Sequence, residues 1–366
     1  MRIASISLHW PRTKDSGVGK KLDQQIRLWQ AGGHEARLFM HTSRYAPLSA
    51  LIPAEVIPYN LAGKLRTEFN RARAARELVA SVRKYQPDVV YLRLAMYVYP
   101  VHLLTRIAPV VGEINTHDLI QHKELGTVLS LYNRLTRGIL LRRLSGLVSV
   151  SEELSKDPSY AVYRKPMRVI SNGIDLSVFQ PLDVPNNQTP RLVFIGTPGY
   201  SWHGVDKLVE LARRFSDLWI DIVGYDQLTE YEPLPANLTL HGYLDADRYK
   251  KVMADCDAAI STLALYRKGM EEACPLKTRE CLAYGLPTVL PYIDTDLNDL
   301  SADFLLKIPN KEDNIQTHGQ AIHDFAYAMR WRRIDRNLIA SIDQVAKEAE
   351  RIRFFEEIRS AEFNVS

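Results

Sequence analysis

Apolar positions along this chain fall into two alternating rhythms, short continuous runs and stripes at helical spacing. Residues 2–8 form an apolar run and predict a strand. Leu22, Ile26 and Trp29 then share one face of a helix that ends at Gly32-Gly33, and residues 35–40 predict the next strand. A long basic helix follows over 64–85, with Leu65, Phe69, Ala72, Leu78 and Val82 on one side. Apolar runs at 88–94, 109–115, 146–151 and 167–172 read as further strands, and residues 131–144 as a second basic amphipathic helix. Residues 182–190 are rich in Pro, Asn and Asp and have the composition of a linker. The pattern then restarts: a strand at 191–196, a glycine-bearing loop at 196–204, a helix at 205–215, and strands at 218–223, 237–242, 257–262, 287–291 and 304–308. From about 318 onward only helical spacing remains. Two separate β/α alternations predict an α/β protein of two doubly wound parallel sheets with a cleft between them. The predicted bounds are 1–181 for the first domain, 182–190 for the linker and 191–327 for the second. Helices over 328–366 are expected to cross back onto the first domain.

The 366 residues suffice for two domains, and 46% hydrophobic with 25% charged residues is an ordinary globular balance. No apolar run approaches the roughly 20 residues that span a bilayer, and the chain enters its first strand with no secretory pattern. Cys256, Cys274 and Cys281 have no metal-ligand spacing, so free thiols in a cytoplasmic protein are expected, with no metal and no tightly bound cofactor. The net charge of +4 conceals an asymmetry. Residues 1–180 hold 26 Lys and Arg against 14 Asp and Glu, a net of +12, and the remainder 21 against 29, a net of −8. A basic half suits an anionic acceptor, an acidic membrane surface or the acidic half of its own chain. Nucleic acid fits less well, because no aromatic-interleaved basic patch accompanies the charge. If the helix at 131–144 rests on anionic lipid, the protein is peripheral on the inner face of the membrane.

The richest stretch for chemistry is 269–289. Polar residues lead to Pro275, where a helix can open. Leu276, Glu280 and Ala283 recur at helical spacing until Gly285, and Pro287 starts an apolar strand. The first N–H groups of such a helix are free for an anion, and Lys277 and Arg279 add charge. Glu272 and Glu280, with seven residues between them, bracket this cradle. A phosphate and a polyol could be held together here; the plainer reading is a solvated helix with scattered charges. Gly17-Val18-Gly19-Lys20 lies at a strand-to-helix turn but matches neither the triphosphate loop nor the full dinucleotide fingerprint. Asp245-Ala246-Asp247 imitates a metal-binding pair, yet its place before Arg248–Ala254 favours a helix start.

Glu272-x7-Glu280 followed by Leu282-Ala283-Tyr284-Gly285-Leu286-Pro287-Thr288-Val289 resembles the Glu-x7-Glu motif of retaining, nucleotide-sugar-dependent glycosyltransferases of the GT-B fold, most of all the family-4 type. Asn172-Gly173-Ile174-Asp175-Leu176-Ser177-Val178-Phe179-Gln180-Pro181 is similar to that family's interdomain signature. Gly17–Gly19 with Gly33-His34-Glu35, and the stretches 237–242 and 254–261, resemble its glycine loop and strands. The resemblance implies two Rossmann-like domains facing each other across a cleft, and a nucleotide-diphosphate sugar as co-substrate. It implies that Glu280 accepts from the ribose hydroxyls and that Glu272 stands beside the transferred sugar. Backbone N–H groups around Cys274, Pro275 and Leu276 would hold the diphosphate with Lys277 as charge partner. His117, in Asn115-Thr116-His117-Asp118, would face the sugar across the cleft, and Gly17 and Gly19 would allow close approach of the first-domain loop. The acceptor would be a glycan or a lipid-linked molecule of the kind used in cell-surface polysaccharide synthesis. One departure stands out. Where the family carries an Arg after the strand at 192–196 and a Lys before a glycine, this chain has Thr197 and His203. A protonated His203, Arg267, Lys268, Lys277 or Arg279 are the candidates to neutralise the leaving diphosphate. The same residues admit two other readings: a nucleotide-sugar-binding scaffold impaired in turnover, and a sugar-nucleotide epimerase on the same fold.

Overall fold

The computed structural model describes residues 1–8, 17–43, 54–123 and 126–363. The chain divides into two compact units, one of Met1–Ser171 with Gln344–Ser366 and the other of Asn172–Asp343.

Unit 1 is built on strands β1 (Arg2–Ser7), β2 (Glu35–Thr42), β3 (Ala54–Pro58), β4 (Val89–Arg93), β5 (Val110–Ile114), β6 (Gly146–Ser149) and β7 (Met167–Val169), interleaved with helices α1 (Gly17–Ala31), α2 (Lys64–Tyr85), α3 (Asp118–Lys123), α4 (Thr127–Leu141), α5 (Glu152–Lys156) and α6 (Pro158–Ala161). All seven strands are parallel, in the order β3-β2-β1-β4-β5-β6-β7. The central strands are buried along almost their whole length because helices cover both faces. The core joins Ile3, Leu38, Val89, Val111 and Val148 of the sheet to Leu22, Ile26 and Trp29 of α1. The strand β3 was not anticipated: it is a half-buried edge flanked by prolines, where apolar periodicity is weak. The loop residues His9–Ser16 lie outside the described residues. Gly17 and Gly19 open α1 itself instead of belonging to the preceding loop.

Unit 2 contains β8 (Arg191–Ile195), β9 (Trp219–Val223), β10 (Leu238–Leu240), β11 (Ala258–Ile260), β12 (Glu272–Ala273), β13 (Thr288–Leu290), β14 (Ile293–Asp294) and β15 (Leu305–Lys307), with helices α7 (Val205–Arg214), α8 (Ala246–Ala254), α9 (Leu276–Ala283) and α10 (Asn314–Ala328). Six strands form a second parallel sheet, β10-β9-β8-β11-β13-β15, while β12 and β14 pair separately. Asp245 caps α8 by accepting from the Arg248 N–H at 2.9 Å, so its acidic pair is a helix start.

The division falls differently from the linker expected at 182–190. Unit 2 begins at Asn172, and the supposed linker is pinned to it: Leu182 is buried in its core and donates to the Tyr284 carbonyl, and Asn187 bonds Asp255 and Asp257. Residues up to Asp343 stay with unit 2. Helix α11 (Gln344–Phe363) belongs to unit 1, where Phe354, Phe355 and Ile358 enter the core. Buried Glu348 of α11 accepts from Trp29 Nε1 at 2.8 Å and Gln25 Nε2 at 3.2 Å, and from Gln344 and Arg351.

Candidate active site

The stretch at 269–289 folds as the strand β12, the helix α9 and the strand β13. Pro275 is extended (φ −65°, ψ 134°) and supplies no side-chain cap; the first helical bond runs from Arg279 N to Pro275 O at 3.1 Å. The preceding N–H groups of the helix therefore lack i→i−4 partners, as an anion site requires. Arg279 is fully buried and faces away from this end. Its guanidinium forks onto Asp294 (2.7 and 2.8 Å), reaches Asp296 at 2.7 Å and donates through Nε to the Asn172 carbonyl. Asn172 in turn donates N–H to Cys274 Sγ (3.3 Å) and Nδ2 to Cys274 O (3.0 Å). The Asn172-Gly173-Ile174-Asp175 signature thus buttresses the start of α9. Burial pushes the Cys274 thiol up to about 11, which removes it as a nucleophile.

Glu272, in β12, and Glu280, one turn before the end of α9, are both buried. Glu280 lies among Lys277, Cys281, Tyr249 and Tyr284: its charge helps to raise both phenols and to hold the proton on Lys277. Desolvation is the larger influence on Lys277 and brings its pKa down to about 8.

Lys277 reaches the loop after β8. Its Nζ is 3.3 Å from Thr197 Oγ1. This loop lies at the switch point of the second sheet, where β8 and β11 are neighbours and their connections leave in opposite directions. Space there is minimal: a Cβ on Gly196 would meet the Tyr225 ring at 2.4 Å, and one on Gly224 (φ +98°) would meet Gly196 O at 2.2 Å. The loop is tied to the one after β11 by Leu263 N to His203 O and Ala264 N to Trp202 O, both 3.2 Å. Buried His203 takes the Thr197 N–H on Nδ1 (3.3 Å), and the Tyr225 hydroxyl lies 2.8 Å from the same nitrogen and 3.0 Å from Thr197 O. Burial, with Lys277 and Lys268 nearby, holds His203 down to about 3. Of the candidates for neutralising a diphosphate, His203 is therefore held neutral by desolvation and offers a ligand a neutral N–H.

Two other candidate cations are already committed. Arg267 forks onto Asp206 (2.8 and 2.7 Å) and reaches Glu312 at 3.1 Å, and Arg279 is bound to Asp294 and Asp296. Lys268 sits 4.6 Å above the Trp202 ring. Lys277 is the cation that the fold brings to both Thr197 and Glu280.

In unit 1, His117 follows β5. Its Nε2 lies 2.8 Å from Asp157 Oδ2, and Nδ1 accepts from Ile120 N–H at 3.3 Å. The proton is therefore on Nε2. Asp157 also caps α6 through Ser159 N–H at 2.8 Å. Sequence reasoning missed the adjoining clamp. Asp118 accepts from Arg137 (2.9 and 2.8 Å), Asn133 (2.8 Å) and Tyr160 (2.8 Å), which burial and the Asp118 charge push well up. Arg137, counted in the basic amphipathic helix at 131–144, is buried for this reason. Its partners lie 15 to 42 residues apart, beyond any local signal. Among the described residues, no three His, Cys, Asp or Glu side chains are grouped to hold a metal.

Comparison with known proteins bears on the fold. Residues 16–178 match the sequence model of Glycosyltransferase Family 4. Against curated sequences there is no match. A sucrose-phosphate synthase of Thermosynechococcus elongatus has the same fold with TM-score 0.70 at 13% identity, over 98% of this chain and 99% of that one. The lipopolysaccharide outer core galactosyltransferase WaaB, in its apo form, gives 0.65 at 10% identity, over 98% and 100%. Anabaena HepE, solved with UDP and glucose, gives 0.58 at 13% identity, over 97% and 99%. With its two doubly wound parallel sheets, the chain has the GT-B fold, and its residues 16–178 are similar to glycosyltransferase family 4.

Proposed function

We propose that this protein is a retaining glycosyltransferase that moves a sugar from a nucleotide-diphosphate sugar to a glycan or lipid-linked acceptor. The observation that carries the reading is the convergence on α9 of free helix N–H groups, Lys277 and Glu280, with Glu272 on the strand just before it. Free N–H groups and a cation suit a diphosphate, and a carboxylate one turn along suits ribose hydroxyls. Glu272 is assigned to the transferred sugar. Lys277, with the helix N–H groups, takes up the charge that develops on the leaving diphosphate and needs no metal ion to do so. His117, its ring fixed by Asp157, is assigned to turnover. Neighbours of this fold were solved with UDP, which makes UDP the first probe.

The test has two arms. A panel of nucleoside diphosphates and their sugars is screened for thermal stabilisation, since only ligands of the native state raise the midpoint. The donor that stabilises most is then followed by NMR during turnover in EDTA, and the product anomer should keep the donor's configuration. No stabilisation by any donor overturns the site, and an inverted anomer overturns the retaining mechanism. Binding without transfer or hydrolysis would instead favour the impaired scaffold, a reading supported by the Thr197 and His203 replacements.

A further inference from the structure

A helix on a globular protein normally turns its apolar stripe inward. Helix α4 carries a second stripe outward. Asn133, Arg137, Gly138, Leu140 and Leu141 form its packed face, while Val128, Leu131, Tyr132 and Leu135, at i, i+3, i+4 and i+7, face solvent. Val128 is 80% and Leu135 72% exposed. The first half of α2 does the same: Leu65 is 90% and Phe69 67% exposed, although their spacing groups them on one side with Leu78 and Val82, and Leu61 continues their four-residue spacing. The inward residues of α2 are Ala74, Ala75, Leu78, Val79, Val82 and Tyr85.

The two crests belong to one surface. The Tyr132 hydroxyl donates to Tyr97 O at 3.0 Å, Tyr132 feels the charges of Arg71 and Glu68 on α2, and Arg76 lies over Tyr99. The rim is basic. Helix α2 has seven Lys and Arg against two acids, and both acids are paired within it: Glu68 with Arg71 and Glu77 with Arg73. Exposed Arg134 stands between the α4 side chains, and Arg142 and Arg143 follow the helix.

We propose that this face of α2 and α4 seats the protein on an anionic lipid bilayer. Exposed leucines and a phenylalanine enter the acyl boundary while arginines meet the headgroups, the division of labour of interfacial helices. A second copy of the chain would bring the same positive rim against itself. Nucleic acid would leave the apolar crests in water. A bilayer satisfies both features. This inference stands independently of the glycosyl-transfer reading, because it uses neither α9 nor His117.

The full chain is mixed with vesicles of phosphatidylcholine alone, or of phosphatidylcholine and phosphatidylglycerol in equal parts, and floated on a density gradient. It should float with the anionic vesicles, less with the neutral ones, and less as salt rises. The variant L65S/F69S/L131S/L135S should lose about tenfold or more in partitioning. R66Q/R73Q/R134Q should lose about fivefold per arginine on anionic vesicles only. Both variants change exposed side chains, and an unchanged midpoint of thermal unfolding would verify their folding. The proposal is overturned if the unmodified chain stays at the bottom with both vesicles, or if the serine variant floats as well as it does. It is also overturned if the chain is a dimer by gel filtration that the serine variant converts to monomer, which would assign the face to a second copy.

Discussion

Replacing Lys277 with Met tests the donor site most directly. The substitution keeps the side chain's length and removes its charge, at a position where the Nζ is 3.3 Å from Thr197 Oγ1 and close to Glu280. A hydrogen bond to a charged group contributes about 1.5–3 kcal/mol. Lys277 is partly exposed, so about 2 kcal/mol is a suitable figure, or about 30-fold in the Kd for UDP. Uridine lacks the diphosphate and should bind both proteins alike. The pH dependence gives an independent signature. With the free-protein pKa at about 8, Lys277 is charged below pH 8 and UDP affinity is flat there. Above it a proton must be taken up on binding, and affinity should fall about tenfold per pH unit. In Lys277→Met this step disappears. Stability should move the other way. A lysine whose folded pKa lies below its unfolded one costs the folded state free energy while it is charged, so the variant without ligand should have a slightly higher Tm below pH 8. Calorimetric titration with UDP and uridine across pH 6.5–9.5 reads all of this. UDP affinity within threefold of the parent, or a step near pH 8 that survives the substitution, refutes the assignment.

Glu280→Ala should raise the donor KM at least tenfold and weaken uridine and UDP alike, since it removes the ribose contact; equal uridine titrations before and after would dismiss that role. Arg279→Leu leaves Asp294 and Asp296 buried without their partner and should cost about 3–5 kcal/mol in urea unfolding; a loss under 1 kcal/mol would show the clamp to be dispensable. Burial depresses His203 to about 3, so the unfolded chain takes up a proton between its ordinary value and pH 3 that the folded chain refuses. Stability should therefore fall as pH drops through that window. His203→Gln should flatten the slope in Tm measured from pH 7 to 4, and an unchanged slope places the acid lability elsewhere. His117→Ala should lower kcat by about 100-fold or more with UDP affinity unchanged; a full kcat would leave the ring only its bonds to Asp157 and Ile120.

What the sequence showed, and what it hid, follows from the range of the interactions. Periodicity is local, and the apolar runs that became β1, β5, β8 and β13 were legible because both faces of those strands are buried. The edge strand β3 and the pair β12–β14 were not, since two to five half-covered residues carry no rhythm. Glu272, Lys277 and Glu280 could be picked out together because one strand-helix segment holds them. The roles of the basic residues could not. Arg267 and Arg279 each looked available until Asp206 and Asp294 were found against them. Composition counts a charge but does not say whether it is already neutralised. The same limit applies to Leu65 and Phe69, whose spacing is that of a core stripe although the helix turns them outward.

The replacement of an Arg and a Lys by Thr197 and His203 therefore reads as a relocation of charge. Gly196, Gly224 and Tyr225 pack so closely around the β8 loop that His203 is desolvated and neutral, and a cation on that loop would carry the same desolvation cost. Lys277 brings its charge from the opposite wall and stays partly hydrated, with Glu280 to offset its burial. On the proposed reading, neighbouring turns of one helix would read the diphosphate and the ribose, and that helix is held from behind by Arg279, Asp294 and the Asn172 carbonyl. Such an arrangement would give rigidity where charge develops, because the residues proposed to bear on the leaving group share a single helical frame.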